Sequence, residues 1–168
     1  MPIKRQAVLI FCALAVISVT AWLWFSKPGL QAAPAISFNA IDGHQISLRQ
    51  FTGKPVLVNF WATSCPGCVK EMPALAALHQ ELAARGFIII GVAMAYDPPD
   101  QVLRMVKEKQ IPYTIALDTS GEIARDFDNV MLTPTSFLIA PDGHVAKHVV
   151  GELDIDSVRR QVQTWLGS

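Results

Sequence analysis

Cysteine is scarce in this chain of 168 residues, which has three: Cys12, Cys65 and Cys68. Net charge is absent too, since 14 lysines and arginines face 14 aspartates and glutamates. Once Lys4 and Arg5 at the N-terminus are set aside, the remainder is slightly acidic. That balance gives nucleic acid nothing to hold, so no nucleic-acid partner is expected. The chain also lacks internal repeats and low-complexity tracts. Its length suits one domain with a real core and is too short for two ordinary ones.

Apolar residues are plentiful at 51%, but they are unevenly spread. Ala7 to Phe25, "AVLIFCALAVISVTAWLWF", runs for nineteen residues without a charge. A helix needs about 20 residues to cross a bilayer. Lys4 and Arg5 precede the run, which keeps the N-terminus cytoplasmic and sends the rest across. Trp22 and Trp24 stand where an interfacial aromatic belt would lie. A cleaved secretory signal is the competing reading, but "GLQAAP" places Leu30 and Gln31 two residues before Ala32 and Ala33, a poor small-x-small site. The expectation is a cytoplasmic N-terminus at 1–6, a transmembrane anchor or uncleaved signal at 7–25, a linker at 26–35 and one exported domain at 36–168. Cys12 reads as a small apolar residue of the anchor. Cys65 and Cys68 are then the only thiols of the exported domain, and in an oxidising compartment an isolated pair is a disulfide or a cycling dithiol.

Within that domain the pattern alternates. Asp42-Gly43 lies between two short apolar runs and predicts a hairpin. Lys54 to Ala62 and Phe87 to Ala95 read as buried strands. Between them, Met72, Leu75, Leu78 and Leu82 recur at helical spacing from Pro66 to Arg85, and Gly86 stops the helix. Asp100 to Gln110 and Ser120 to Phe127 look helical, with a short extended piece at Pro112 to Leu117 between them. Ser136 to Val150 reads as a hairpin turning at Pro141-Asp142-Gly143, and Ile155 to Leu166 as a closing amphipathic helix. The fold class is α/β, a sandwich with a mixed central sheet flanked by helices and an N-terminal β-hairpin.

The chemistry concentrates in "WATSCPGCVKEMP", Trp61 to Pro73. Proline favours the first helical position, so Pro66 makes Cys65 the N-cap and Cys68 the third helical residue. A thiolate on Cys65 would face the free N–H groups of the first turn and the positive end of the helix dipole. Its pKa should be depressed, while Cys68, facing inward, stays less ionised. An exposed nucleophile beside a shielded resolving thiol is what dithiol exchange requires.

Zinc is a second use of a CxxC pair, and His144 and His148 offer an H-x3-H spacing. They fall on a predicted strand far along the chain and read better as hairpin surface, while His44 and His79 carry no motif. No metal site is expected. A thiol peroxidase would need threonine three and proline seven residues before the reactive cysteine, where Ala62 and Val58 stand.

With "NFWATSCPGC", "KEMP" and "TPTSFLIAPDG" in this order, the chain resembles the thioredoxin superfamily. Within it, the membrane-anchored TlpA-like and ResA-like thiol–disulfide oxidoreductases are the most similar, over about Ile36 to Leu166. The resemblance implies a thioredoxin-like domain in which Cys65 attacks and Cys68 resolves. It also implies that Pro134 is a cis-proline whose loop, with Thr133, lies against the dithiol and pairs with substrate backbone. Glu71, three residues after Cys68 and so on the same helical face, would tune the thiols or accept a proton. Trp61 would pack beside the site and contribute to substrate binding, and Pro73 would kink the helix.

Two residues depart from the superfamily pattern. Asn59 replaces the buried aspartate of cytoplasmic thioredoxins, which makes Glu71 the leading proton acceptor. Ser64 replaces the tryptophan usually found before the first cysteine and removes an apolar contact surface. The Pro-Gly dipeptide matches neither the thioredoxin nor the DsbA type and leaves the potential open.

The resemblance implies a periplasmic oxidoreductase on the bacterial inner membrane that needs no cofactor. As a reductase it would pass electrons from a membrane donor of the DsbD or CcdA kind to oxidised cysteines of exported proteins, with cytochrome c maturation or a copper-site protein as destinations. A thiol oxidant is one alternative. A copper-binding or metallochaperone module using the same CxxC is another, although related copper chaperones space their cysteines as C-x3-C.

Overall fold

The computed structural model describes residues 31–167, so the apolar run at 7–25 and the expected anchor lie outside the described residues. Among the described residues no helix is long and apolar enough to cross a membrane.

A two-stranded antiparallel hairpin comes first, β1 (Ser37–Asn39) and β2 (Gln45–Ser47), with the turn at Asp42-Gly43. A five-stranded sheet follows, built from β3 (Val56–Trp61), β4 (Ile88–Ala93), β5 (Thr114–Leu117), β6 (Thr135–Ile139) and β7 (Val145–Val150). Its spatial order is β5-β4-β3-β6-β7. The first three strands run parallel, and β6 and β7 add antiparallel pairs. The helices are α1 (Pro66–Leu82), α2 (Pro99–Lys109), α3 (Glu122–Asp126) and α4 (Ile155–Leu166).

All six residues of β3 are buried, as a central strand covered on both faces demands. Successive side chains point to opposite faces, so β3 feeds two cores. Leu57 and Trp61 join Leu75, Leu78 and Leu82 of α1 and Val158 and Val162 of α4. Val58 and Phe60 join Phe38, Phe127 and Phe137 on the other side. There the Phe60 and Phe127 rings meet edge to face at 5.4 Å, a favoured geometry for aromatic pairs. Fully burying one such side chain stabilises the fold by roughly 1.5–3 kcal/mol.

The hairpin is not a free appendage. The Ile41 N–H donates to the Ile115 carbonyl at 2.9 Å, and Ala40 bridges Ala116, so the hairpin shields the open edge of β5.

Helix α1 ends in a 3-10 turn, Ala83–Arg85, and Gly86 at φ +106° closes it in the left-handed region that glycine enters freely. Pro73 does not break α1, which continues through it to Leu82. Helix α3 is shorter than its pattern suggests because Gly121 and Asp118 start it: the buried Asp118 carboxylate accepts the N–H groups of Ile123 and Ala124 at 3.1 and 2.9 Å. His144 sits in the β6–β7 turn rather than on the strand, its N–H held by Asp142 at 3.0 Å.

Candidate active site

β3 delivers the chain to the carboxyl end of the parallel strands at Trp61, and a turn over Ala62, Thr63 and Ser64 leads it into α1. The Cys65 N–H donates to the Ala62 carbonyl at 3.1 Å. Cys65 caps α1 with extended backbone (φ −97°, ψ 105°), and its Sγ accepts the Cys68 N–H at 3.1 Å. Pro66 occupies the first helical position because its missing N–H would be unpaired there anyway. The two sulfurs are joined, with a Cα–Cα distance of 5.3 Å. Cys65 is half-buried, whereas Cys68 is 2% exposed. A partner can therefore reach one sulfur and not the other.

The Thr133–Pro134 peptide bond is cis. Pro134 is buried beside the dithiol, and its Cδ lies 3.7 Å from where a β-carbon on Gly67 would stand. Its carbonyl accepts the Gly151 N–H at 2.8 Å. Glu152, the next residue, places Oε1 3.6 Å from the same Gly67 position and pairs with Lys70 at 2.9 Å. Leu153 N–H then donates to Glu71 Oε1 at 2.7 Å. One short segment, 151–153, thus ties the proline loop to the helix that carries the cysteines.

Glu71 is only 7% exposed, and its Oε2 has no hydrogen-bond partner. Burial pushes its carboxyl above the usual carboxylate range, the Leu153 N–H opposes this, and the Glu152 charge adds to it. The nearby Asn59 amide gives the smallest contribution, also opposing the rise, while donating to Ser136 Oγ at 2.9 Å. A carboxyl so placed exchanges protons closer to neutrality than an exposed one. Tyr113, buried in the cluster that holds Cys68 and Met72, is held neutral well above the ordinary phenol range, by burial first and by the Glu71 charge second.

Of the residues expected from sequence, Cys65, Cys68, Glu71, Thr133 and Pro134 converge here. Trp61 requires a correction: at 2% exposure it cannot meet a substrate. Its indole supports the site from beneath, in the cluster that holds Cys68 and Met72. Beside the proline loop the exposed large side chains are Met131, Leu132 and Tyr96, at 74%, 64% and 60%. Sequence reasoning missed these, and also Asp97, Glu152 and Leu153. Position was the available signal for Tyr96 and Asp97, because loops after the carboxyl ends of parallel strands commonly build sites. Among the described residues no group of three or more His, Cys, Asp or Glu side chains is placed to hold a metal ion.

A helix-capping CxxC disulfide opposite a cis-proline, on a mixed sheet between helices, defines the class of thioredoxin-fold dithiol proteins. The sequence profile of the Redoxin family matches residues 27–162, and the chain belongs to that family. Thiol-disulfide oxidoreductase ResA of Bacillus thuringiensis subsp. konkukian is 38% identical over 121 residues, covering 71% of this chain and 68% of its own. Thioredoxin-like protein YneN of Bacillus subtilis is 33% identical over 124 residues, 73% of this chain and 72% of its own. Among solved structures, a thiol:disulfide interchange protein of the thioredoxin family from Chlorobium tepidum superposes with a TM-score of 0.76 at 30% identity, covering 84% of this chain and 100% of that one. The activity is therefore thiol–disulfide exchange of the ResA-like kind.

Proposed function

We propose that this protein is a membrane-tethered reductase of the periplasm that returns oxidised cysteines of exported proteins to thiols. The Cys65 thiolate attacks the substrate disulfide, a mixed disulfide forms, and one substrate thiolate leaves. Cys68 then gives its proton to the Glu71 carboxylate and attacks Cys65 Sγ. This releases the second substrate thiolate and leaves the Cys65–Cys68 disulfide. Two electrons have passed to the substrate, and a membrane donor of the DsbD or CcdA kind restores the dithiol. The cysteines of an apocytochrome c are one fitting substrate.

The observation that carries the direction is the charge around the sulfurs. A strong oxidant stabilises its reduced form as a thiolate. Here Pro66 and Gly67 offer no side-chain donor between the cysteines, and the buried Glu71 carboxylate, one turn along α1 from Cys68, disfavours a second negative charge. Helix capping alone supports the Cys65 thiolate. Support for the tether is the uncharged run at 7–25 behind Lys4 and Arg5.

Equilibrating the full-length chain against glutathione and dithiothreitol buffers tests the direction. A midpoint at or below about −220 mV, in the glutaredoxin-to-thioredoxin range, is expected. One near about −120 mV would make the protein a disulfide donor.

A further inference from the structure

Two residues ahead of Cys65, Thr63 is gripped from the loop that follows β4. Asp97 Oδ2 accepts the Thr63 N–H at 2.6 Å, and Oδ1 accepts the Thr63 hydroxyl at 2.5 Å. Both carboxylate oxygens are thus engaged by one residue. Asp97 is 7% exposed, and among the described residues it pairs with no lysine, arginine or histidine. Burying a carboxylate is costly unless hydrogen bonds satisfy it, and here the donors that do so belong to the segment leading into the nucleophile.

The grip is itself anchored. The Asp97 N–H donates to the Met94 carbonyl at 2.9 Å, and the Met94 N–H donates to the Trp61 carbonyl at 3.1 Å, at the end of β3. Tyr96, next in the loop, brings its hydroxyl to 3.5 Å from Thr133 Oγ1, beside the cis-proline. The loop 94–97 therefore reaches both chain segments that frame the sulfurs.

Only Ser64, which is exposed, separates the grip from Cys65. Cys68 is held by burial and by the body of α1. The freedom that closing the disulfide must remove therefore lies mainly in the Thr63–Cys65 segment, and fixing that segment beforehand removes it in advance.

We propose that Asp97 is the positioning residue for Cys65, holding Thr63 so that the dithiol closes into its disulfide with little loss of freedom. The inference rests on the exchange activity and not on the direction of electron flow.

The quantity to measure is the equilibrium in which the dithiol and oxidised glutathione give the Cys65–Cys68 disulfide and two reduced glutathiones, two electrons and two protons passing to glutathione. In the full-length chain, Asp97→Ala should lower this constant about tenfold, which raises the midpoint by about 30 mV. Thr63→Val, which keeps the shape and loses the hydroxyl with its bond to Asp97 and its longer 3.5 Å contact to Gln101, should lower it about threefold, the size of one net hydrogen bond. Thr63→Ser should restore the parent value, and Thr63→Val serves if Asp97→Ala does not fold. Constants within twofold of the parent for both Asp97→Ala and Thr63→Val would overturn the proposal. So would a shift in Thr63→Ser as large as that in Thr63→Val. A parent pair that does not exchange with glutathione at all would overturn the exchange activity and the proposal with it, an outcome distinguishable from a normal parent with unshifted variants.

Discussion

The Leu153 N–H donates to Glu71 Oε1 at 2.7 Å across 82 residues of sequence, while the other oxygen of the same carboxyl is buried without a partner. One oxygen is held in place and the second is free of any hydrogen bond. Glu71 and Cys68 share a face of α1 one turn apart, so in the proposed mechanism this carboxyl is the acceptor for the proton of the resolving thiol.

The division of labour between the cysteines is testable in cells. Cys68→Ser should accumulate mixed disulfides through Cys65, because attack proceeds and release does not. Cys65→Ser should accumulate none, since Cys68 is buried. Non-reducing gels of the two variants give the answer, and equal adducts from both would refute the assignment of attacker and resolver.

Replacing Glu71 with glutamine separates its proton chemistry from its structural bond, since the amide oxygen can still accept from Leu153. Resolution of a preformed glutathione adduct on Cys65 should slow by about 100-fold near neutrality, the low end of general-base contributions. In the parent the rate should climb as pH rises through the raised Glu71 titration, a step that the variant should lack. Stability should move the other way. The folded carboxyl holds its proton more tightly than the unfolded one, so its contribution is fully present below the unfolded pKa and is lost as pH rises through the folded pKa. Glu71→Gln should therefore be more stable than the parent at mildly alkaline pH, with the gap closing in acid, as urea unfolding would record.

Much of this site was legible because its local parts are close in sequence. Cys65, Pro66 and Cys68 are a cap, a first-turn proline and a third helical residue, and the strand before them is apolar at every position but Asn59; nothing distant is needed to place them. The Glu71 face followed from helical spacing alone. Its environment did not, because Leu153 and Glu152 reach it only after β7 has paired with β6 and set the start of α4. Trp61 was misread for the related reason that a tryptophan next to a reactive site has the same sequence signature whether it lies above or below the sulfurs. Burial decides between them, and burial is a property of the packed sheet.

Gly91 on β4 is the residue that makes room for that tryptophan. A β-carbon there would stand 2.7 Å from Ile115 Cδ1, 3.2 Å from Trp61 Nε1 and 3.3 Å from Tyr113 Cε2. Gly91→Ala should destabilise the domain by about 1–3 kcal/mol through overpacking. Denaturant unfolding with an unchanged m-value would locate the effect in the folded state, and a variant as stable as the parent would show that Ile115 yields freely.

Asn59 offers the sharpest test of why this chain relies on Glu71. It is 3% exposed, and its amide donates to Ser136 Oγ at 2.9 Å, across the β3–β6 pairing. Asn59→Asp would place a second carboxyl in the buried region of Glu71, where each disfavours ionisation of the other. At neutral pH the variant should lose about 3 kcal/mol or more, as expected for an uncompensated buried charge. The new aspartate would have a folded pKa above its unfolded value, so the deficit should shrink as pH falls through the carboxylate range. Adding Glu71→Gln should recover part of the loss, a non-additivity that a double-mutant cycle measures directly. Additive effects would mean that the two side chains do not share an environment.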